Sequence, residues 1–302
     1  MKTRNVLILL LGVIPFIMCS CNNQGNNTSK NNVQKELEID VDIDTINQTI
    51  KFGNTLFSLP SPYQLTMMVK NAGTSFNENL INSVENNSKY VTTFKKCVNL
   101  GVYGADLAYM NLYEQSPLIV SHFSVIKSLA TEQGLMSAFN DELVERIETN
   151  IDDKDSLLYI MSNTYRDVDI YLKDAQREKE GVMVLAGGWI EAMYILTQLA
   201  HTTKDANLIC RVGESKQPLD NLIKILSPYY NEVKELETLI DALIGLVADF
   251  ENVETSYTYN MPDIDAENKI TSIKSTTKVV VPEPVLKQIT DKVESIRTML
   301  VE

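Results

Sequence analysis

The chain has 302 residues and a formal net charge of −13, from 40 acidic and 27 basic side chains. This balance argues against nucleic acid and against anionic lipid as partners, because both are negatively charged themselves. The length is sufficient to bury one sizeable hydrophobic core or two smaller ones.

Residues 1–20 have the pattern of an export signal that is removed from the mature protein. Lys2 and Arg4 form a short basic region, and the apolar run Val6–Met18 follows at once. This run is too short to span a bilayer comfortably and stands at the extreme N-terminus, which favours a signal over a transmembrane helix. We therefore exclude residues 1–20 from the fold.

The end of this run indicates which class of signal it is. Ser20 is followed by Cys21, and a small residue before cysteine resembles a bacterial lipoprotein signal, in which the cysteine becomes the lipidated first residue. Cys21 fits this pattern better than Cys19, which follows the bulky Met18. We expect a palmitate-bearing Cys21 that anchors the protein in a membrane, with an ordinary secretory signal as the alternative.

A flexible tether is expected at residues 21–35, because Asn22–Asn32 offers no large apolar side chain to bury. Removal of residues 1–20 leaves 25 basic against 40 acidic residues, so membrane attachment has to come from the lipid. The following stretch, Glu36–Asp44, alternates acidic and apolar residues. This alternation is typical of an edge strand that its own charges protect from aggregation.

The rest of the chain predicts one mainly helical domain over residues 36–302, a multi-helix bundle built from two weakly similar halves at about 55–150 and 151–252. Each half centres on an apolar helix that opens with glycine and carries one acidic residue, Leu100–Glu114 in the first and Leu185–Leu199 in the second. Glycine allows helix backbones to pack closely, so we expect these two central helices to be partners.

Two alignments of the halves are possible, and neither is clean. One pairs Asp106 with Glu191 and Tyr109 with Tyr194, and a shift of one residue pairs Gly101 with Gly187 and Tyr103 with Trp189. The repeat therefore predicts shape better than it predicts equivalent residues.

Two further elements are predicted near the C-terminus. Residues 256–281 are rich in β-branched and aromatic side chains on either side of a polar loop, which predicts a small β-hairpin. A closing helix is predicted at 285–300, where apolar residues recur at helical spacing. Upstream, the aspartates of Asn150–Asp155 favour a helix cap over a calcium loop, because the loop glycine and the final glutamate are missing.

Signals of catalysis are missing from the chain. His122 and His201 are the only histidines, and they do not stand at zinc-binding spacing. No nucleophile elbow, phosphate-binding glycine loop or CxxC motif occurs. Cys97 and Cys210 are predicted to be two buried thiols or, alternatively, a disulfide. We expect a protein that is not an enzyme and has no cofactor and no metal.

The acidic residues of the central helices are the candidate site. Each stands among apolar and aromatic neighbours, so its carboxylate has to find hydrogen-bond donors or face water. Three alternatives remain open: a structural polar network, a ligand pocket between the helices, or a general acid and base pair. The candidate ligand-binding residues are Tyr103, Asp106, Tyr109, Trp189, Glu191 and Tyr194.

Three segments, SLPSPYQL, LGVYGADLAY and LAGGWIEAMYI, resemble an uncharacterised family of all-helical lipoproteins of Bacteroidota, over most of residues 55–230. The resemblance implies a lipoprotein of the cell outer membrane and brings no known activity. In lipoproteins of this group, surface display is associated with acidic residues directly after the lipidated cysteine. None follow Cys21, which favours the periplasmic face.

Two functions remain as expectations. The first is a non-catalytic interaction or scaffold module with a protein partner in the envelope, and it predicts an exposed apolar patch. The alternative is a small-molecule binding or sensing lipoprotein of unknown ligand, which requires a pocket reaching Asp106 or Glu191.

Overall fold

A computed structural model describes residues 48–52, 55–59, 69–70, 72–135, 141–265, 270–272 and 275–302. The predicted signal, the lipidation site Cys21, the tether and the Glu36–Asp44 strand lie outside these described residues. The helices are α1 Thr93–Leu112, α2 Ser116–Glu132, α3 Asp141–Thr149, α4 Lys154–Asp174, α5 Glu178–Thr203, α6 Ala206–Glu214, α7 Lys216–Leu226, α8 Lys234–Phe250 and α9 Glu283–Val301. Short 3₁₀ helices occur at Glu78–Leu80, Val84–Lys89 and Ser227–Tyr229.

Three antiparallel strand pairs accompany the helices. β1 Gln48–Phe52 pairs with β2 Thr55–Leu59, β3 Glu254–Thr258 pairs with β6 Thr276–Val280, and β4 Asp263–Asp265 pairs with β5 Ile270–Ser272. The predicted fold class, mainly α with a small hairpin near the C-terminus, is confirmed.

The hairpin differs from its prediction in one respect. The region expected to be a polar loop contains β4 and β5, which lie between β3 and β6 and extend the hairpin. We call residues 254–280 the ribbon. The β1–β2 pair was not predicted, although Gly53-Asn54 stands between two short β-rich runs, a recognised hairpin signal.

The two central helices pack against each other as predicted, but both are longer than expected. α1 begins at Thr93, where the Thr92 hydroxyl accepts a hydrogen bond from the Lys95 amide at 3.2 Å. α5 begins at Glu178. In α1 every residue from Cys97 to Leu112 is buried, which is the pattern of a helix surrounded on all sides.

Glycines stand where α1 and α5 approach most closely. A Cβ atom on Gly101 would lie 1.9 Å from the carbonyl oxygen of Val184, and one on Gly187 would lie 1.8 Å from that of Val98. Real side chains cannot reach such distances, so these positions require glycine. The glycines lie inside the helices rather than opening them, which corrects the predicted boundaries.

The closing helix α9 docks its C-terminal end on the start of α1. The Lys95 ammonium donates to the carbonyl oxygens of Met299 at 2.8 Å and Leu300 at 3.3 Å. The Asn99 amide donates to Leu300 O and to Lys95 O, both at 2.9 Å. These donors satisfy carbonyls that a helix end leaves unpaired, and a cation at this end is favoured by the helix dipole.

Smaller predictions were also tested by the fold. Asp153 accepts from the Ser156 amide at 2.9 Å, which confirms the helix cap after the first half. Cys97 and Cys210 are both free thiols, so no disulfide joins them, and Cys210 is only half-buried. Within the described part of the chain α5 is long and apolar enough to cross a membrane, but 83% of its apolar window is buried in the domain. This burial is typical of a core helix.

Candidate functional site

Glu191, in the middle of α5, is fully buried and paired with an arginine of the closing helix. Arg297 on α9 donates from Nε to Oε2 and from Nη2 to Oε1, both at 2.9 Å. Side-chain exposure is 0% for Glu191 and 13% for Arg297. The Arg297 guanidinium also lies over the Tyr194 ring, 4.7 Å from its centroid, at cation–π distance. Both oxygens of Glu191 are therefore engaged by protein.

Asp106, on α1, is the second buried acid and lies against Glu191. Its Oδ2 accepts from the Asn82 amide at 3.0 Å, and its carboxyl faces that of Glu191. Burial and the neighbouring negative charge raise the pKa of Asp106 well above its usual value, while Arg297 opposes this shift. The sequence left open whether these two acids meet, and the fold brings them together.

Asn82 connects the acid pair with two other elements. Its side-chain amide donates to the Tyr90 hydroxyl at 2.9 Å. Its backbone carbonyl oxygen lies 2.9 Å from Nε2 of His122 on α2. The Tyr103 hydroxyl donates to the Ser83 carbonyl oxygen at 2.7 Å. The segment before α1 is thus fixed by polar side chains from α1 and α2.

His122 lies between two carbonyl oxygens in this network. Besides the Asn82 contact, its Nδ1 lies 3.0 Å from Leu118 O. A neutral imidazole can donate to only one of them. Burial lowers the pKa of His122, and the two carbonyls and Glu78 partly offset this effect.

The six predicted ligand-binding residues are all buried, but they do not form one cluster. Tyr103 and Tyr194 lie around the acid pair formed by Asp106 and Glu191. Tyr109 lies instead in an aromatic group with Phe76 and Tyr113, at centroid distances of 5.3 and 5.2 Å, and its hydroxyl accepts from Asn77. Trp189 packs in the hydrophobic core, and within the described residues its Nε1 has no hydrogen-bond partner.

Sequence reasoning missed three members of the network, Arg297, Asn82 and Tyr90. A signal for Arg297 existed: it stands four residues after Val293 and three before Leu300, on the border of the apolar stripe of α9. An arginine there is well placed to meet a buried acid on another element. Asn82 binds through its backbone as well as its side chain, and backbone contacts of this kind cannot be predicted from a residue pattern.

The geometry of the pair favours a structural role over chemistry. A general acid and base pair needs carboxyl groups that reach a substrate. Here both acids are 0% exposed, Glu191 is held by Arg297, and Asp106 is held by Asn82. We therefore favour the structural polar network among the three alternatives.

A second candidate lies on the surface, at the ribbon. Six of the eleven large hydrophobic side chains exposed in the described part of the chain belong to it: Tyr257, Tyr259, Met261, Ile264, Ile270 and Val280. Every residue of β3 and β5 is exposed. The ribbon therefore presents apolar groups without a covering element of the described domain.

The ribbon is attached at its base to α6. A Cβ atom on Gly213 would lie 2.5 Å from Val279 Cγ1, 2.7 Å from Val281 Cγ2 and 3.2 Å from Val253 Cγ1. Glycine thus leaves room for three valines where the ribbon begins and ends. Beyond this contact β3 is exposed along its whole length.

Comparison of the chain with protein-family models, curated proteins and solved structures finds no match.

Proposed function

We propose that this protein is a lipid-anchored envelope protein that acts as a non-catalytic interaction module and binds a partner protein through the ribbon. The observation that supports the proposal is the concentration of exposed apolar side chains on residues 254–280. Large apolar side chains that a fold leaves exposed in one segment are characteristic of interaction sites. By contrast, the polar groups of the acid pair are used within the fold.

The architecture of the ribbon suits it for docking. A two-stranded hairpin alone in water is only marginally stable, and an unpaired strand edge is a template for another chain. The β3 sequence, ETSYT, has no proline or lysine to block such pairing. Its register with β6 is uninterrupted by a bulge. A partner strand added at this edge would gain main-chain hydrogen bonds, and its side chains on one face would lie beside Tyr257.

Charge indicates what kind of partner fits. By sequence the ribbon carries four acidic and three basic residues, whereas the whole chain has a net charge of −13. The ribbon is thus a nearly neutral arm on an acidic protein. An apolar protein surface bordered by basic groups would be attracted by the acidic rest of the chain, while a second copy would bring two acidic bodies together. We therefore propose a different protein as the partner.

Cross-linking and binding together test the ribbon. We expect a photo-reactive residue at Tyr257 or Met261 to form an adduct with one envelope protein, and the same residue at Val120, an exposed position on α2, to form none. With that protein purified, Tyr257→Ser and Met261→Ser should each weaken binding at least tenfold, because a buried interface side chain of this size contributes about 2 kcal/mol. Thermal stability should be unchanged, since both side chains are exposed.

Other outcomes of this experiment contradict the proposal. An adduct of twice the chain mass would indicate a second copy, and an adduct with lipid alone would indicate a membrane-binding arm. Equal binding by the wild type and both serine variants would exclude the ribbon as the docking site.

Attachment to the envelope has its own test. Cells grown with labelled palmitate should label the wild-type chain, and Cys21→Ser should abolish the label and release the protein from the membrane fraction. Cys19→Ser is the matched control and should remain labelled. Undiminished labelling of Cys21→Ser would refute the anchor, whatever the result at the ribbon.

A further inference from the structure

The acid pair has two carboxyl groups, but one arginine is its cationic partner among the described residues. Three helices meet there: α1 contributes Asp106, α5 contributes Glu191, and α9 contributes Arg297, which in the described part of the chain is the one cation in contact with the pair. Two ionised carboxylates with one guanidinium would leave an unbalanced negative charge at 0% exposure. A charge in such a place is very costly unless it is paired or neutralised.

Within the described ranges, the hydrogen bonds of Asp106 engage only one of its two carboxyl oxygens. Asp106 Oδ2 accepts from Asn82, but Oδ1 is buried and has no donor among the described residues. The neighbouring carboxyl is Glu191, whose oxygens accept from Arg297. Two ionised carboxylates are both acceptors, and a hydrogen bond joins them only when one carries a proton.

We propose that Asp106 carries a proton in the native protein and donates it from Oδ1 to Glu191. The cluster then holds one positive and one negative charge, and each carboxyl oxygen of Asp106 has a partner. Glu191 is the ionised member, because a bidentate arginine stabilises a carboxylate far more than a carboxylic acid.

The surroundings of Asp106 favour the neutral form. The titratable groups that face it are Tyr103 from α1, Glu191 and Tyr194 from α5, and Arg297 from α9. Among them only Arg297 favours ionisation, and it is already committed to Glu191. The raised pKa of Asp106 agrees with this assignment.

His122 is the competing place for the proton. An imidazolium there would donate to both Asn82 O and Leu118 O, and its charge would balance an ionised Asp106 through the Asn82 segment. Two neutral carbonyls are weaker partners for a buried cation than a carboxylate is. Burial of His122 without a carboxylate partner disfavours an imidazolium, and its lowered pKa agrees, so the proton is assigned to Asp106.

The proposal gives the core a pH dependence of defined sign. Because the pKa of Asp106 is higher in the folded than in the unfolded chain, the unfolded chain releases its proton first as pH rises. From the unfolded pKa of about 3.9 up to the folded pKa, this group lowers the folding equilibrium constant by up to tenfold per pH unit. α9, which leads directly out of the ribbon, depends on this cluster for its ion pair.

Asp106→Asn tests the proposal. An amide keeps the shape of the side chain, can accept from Asn82 and donate to Glu191, and has no proton that titrates. Unfolding by urea from mildly acidic to alkaline pH should show a smaller loss of stability with pH in Asp106→Asn than in wild type. Asp174→Asn, at an exposed aspartate of α4, is the matched control and should keep the wild-type slope. An unchanged slope in Asp106→Asn overturns the proposal.

Infrared spectroscopy of the wild type keeps the proposal testable if the variant does not fold. At neutral pH we expect the C=O stretch of an un-ionised carboxylic acid, which shifts on deuteration. Its absence, or a His122 imidazolium signal by nuclear magnetic resonance at the same pH, overturns the assignment. Neither measurement involves the ribbon or its partner.

Discussion

Replacement of Arg297 by methionine should lower the free energy of unfolding by about 3–5 kcal/mol, because it removes the counter-ion of a buried carboxylate. Methionine retains much of the volume of arginine, so the effect reports charge rather than a cavity. Glu191 is 0% exposed, so loss of its two hydrogen bonds leaves a desolvated carboxylate without donors. Urea unfolding of the two purified chains measures the difference.

The loss should disappear largely when the partner is also neutralised. In the double variant Glu191→Gln with Arg297→Met no buried charge remains unpaired, so we expect recovery of more than half of the loss. The control is the exposed pair Lys216–Glu251, where Lys216→Met should cost about 0–1 kcal/mol. A similar cost for Arg297→Met and Lys216→Met would mean that the buried pair is not ionised.

Alanine at Gly187 should destabilise the fold by about 3 kcal/mol, because the added methyl group has no space between the central helices. Its Cβ would lie 1.8 Å from the Val98 carbonyl oxygen, which belongs to helix backbone and cannot rotate away. The helices would have to separate, and contacts along both of them would weaken. Thermal and urea unfolding measure the loss, and Gly101→Ala should behave alike.

Gly245 on α8 provides the matched control for this prediction. A Cβ atom there meets only the flexible end of Lys292, at 3.8 Å. Gly245→Ala should therefore stabilise the protein by roughly 0.5–1 kcal/mol, since alanine favours the helix more than glycine does. If Gly187→Ala proved as harmless as Gly245→Ala, the close packing of α1 and α5 would be wrong.

These expectations separate two parts of the molecule. Substitutions at the acid pair and at the helix crossing should change stability, since these groups are buried and joined to several elements. Substitutions at exposed ribbon residues such as Tyr257 and Met261 should change binding and leave stability alone. The proposed function thus depends on exposed ribbon residues that are not required for the stability of the fold.

The elements themselves were predictable from local pattern. The apolar residues of the closing helix, from Leu286 to Leu300, recur at helical spacing and are buried as expected. The ribbon was predicted from its β-branched and aromatic residues, and the close packing of the central helices was predicted from their glycines. Each of these signals is contained in a few consecutive residues, so it survives in the sequence alone.

The sequence by itself determined which side chains are apolar, which two helices are central, and that two carboxyl groups need partners. Only the tertiary structure decided which partners they have. Glu191 and Arg297 are 106 residues apart, and Asp106 is met by the backbone of Asn82, whose amide no side-chain pattern marks. Pairing of this kind depends on how separate helices are oriented, and that orientation follows from packing of the whole core rather than from spacing along the chain.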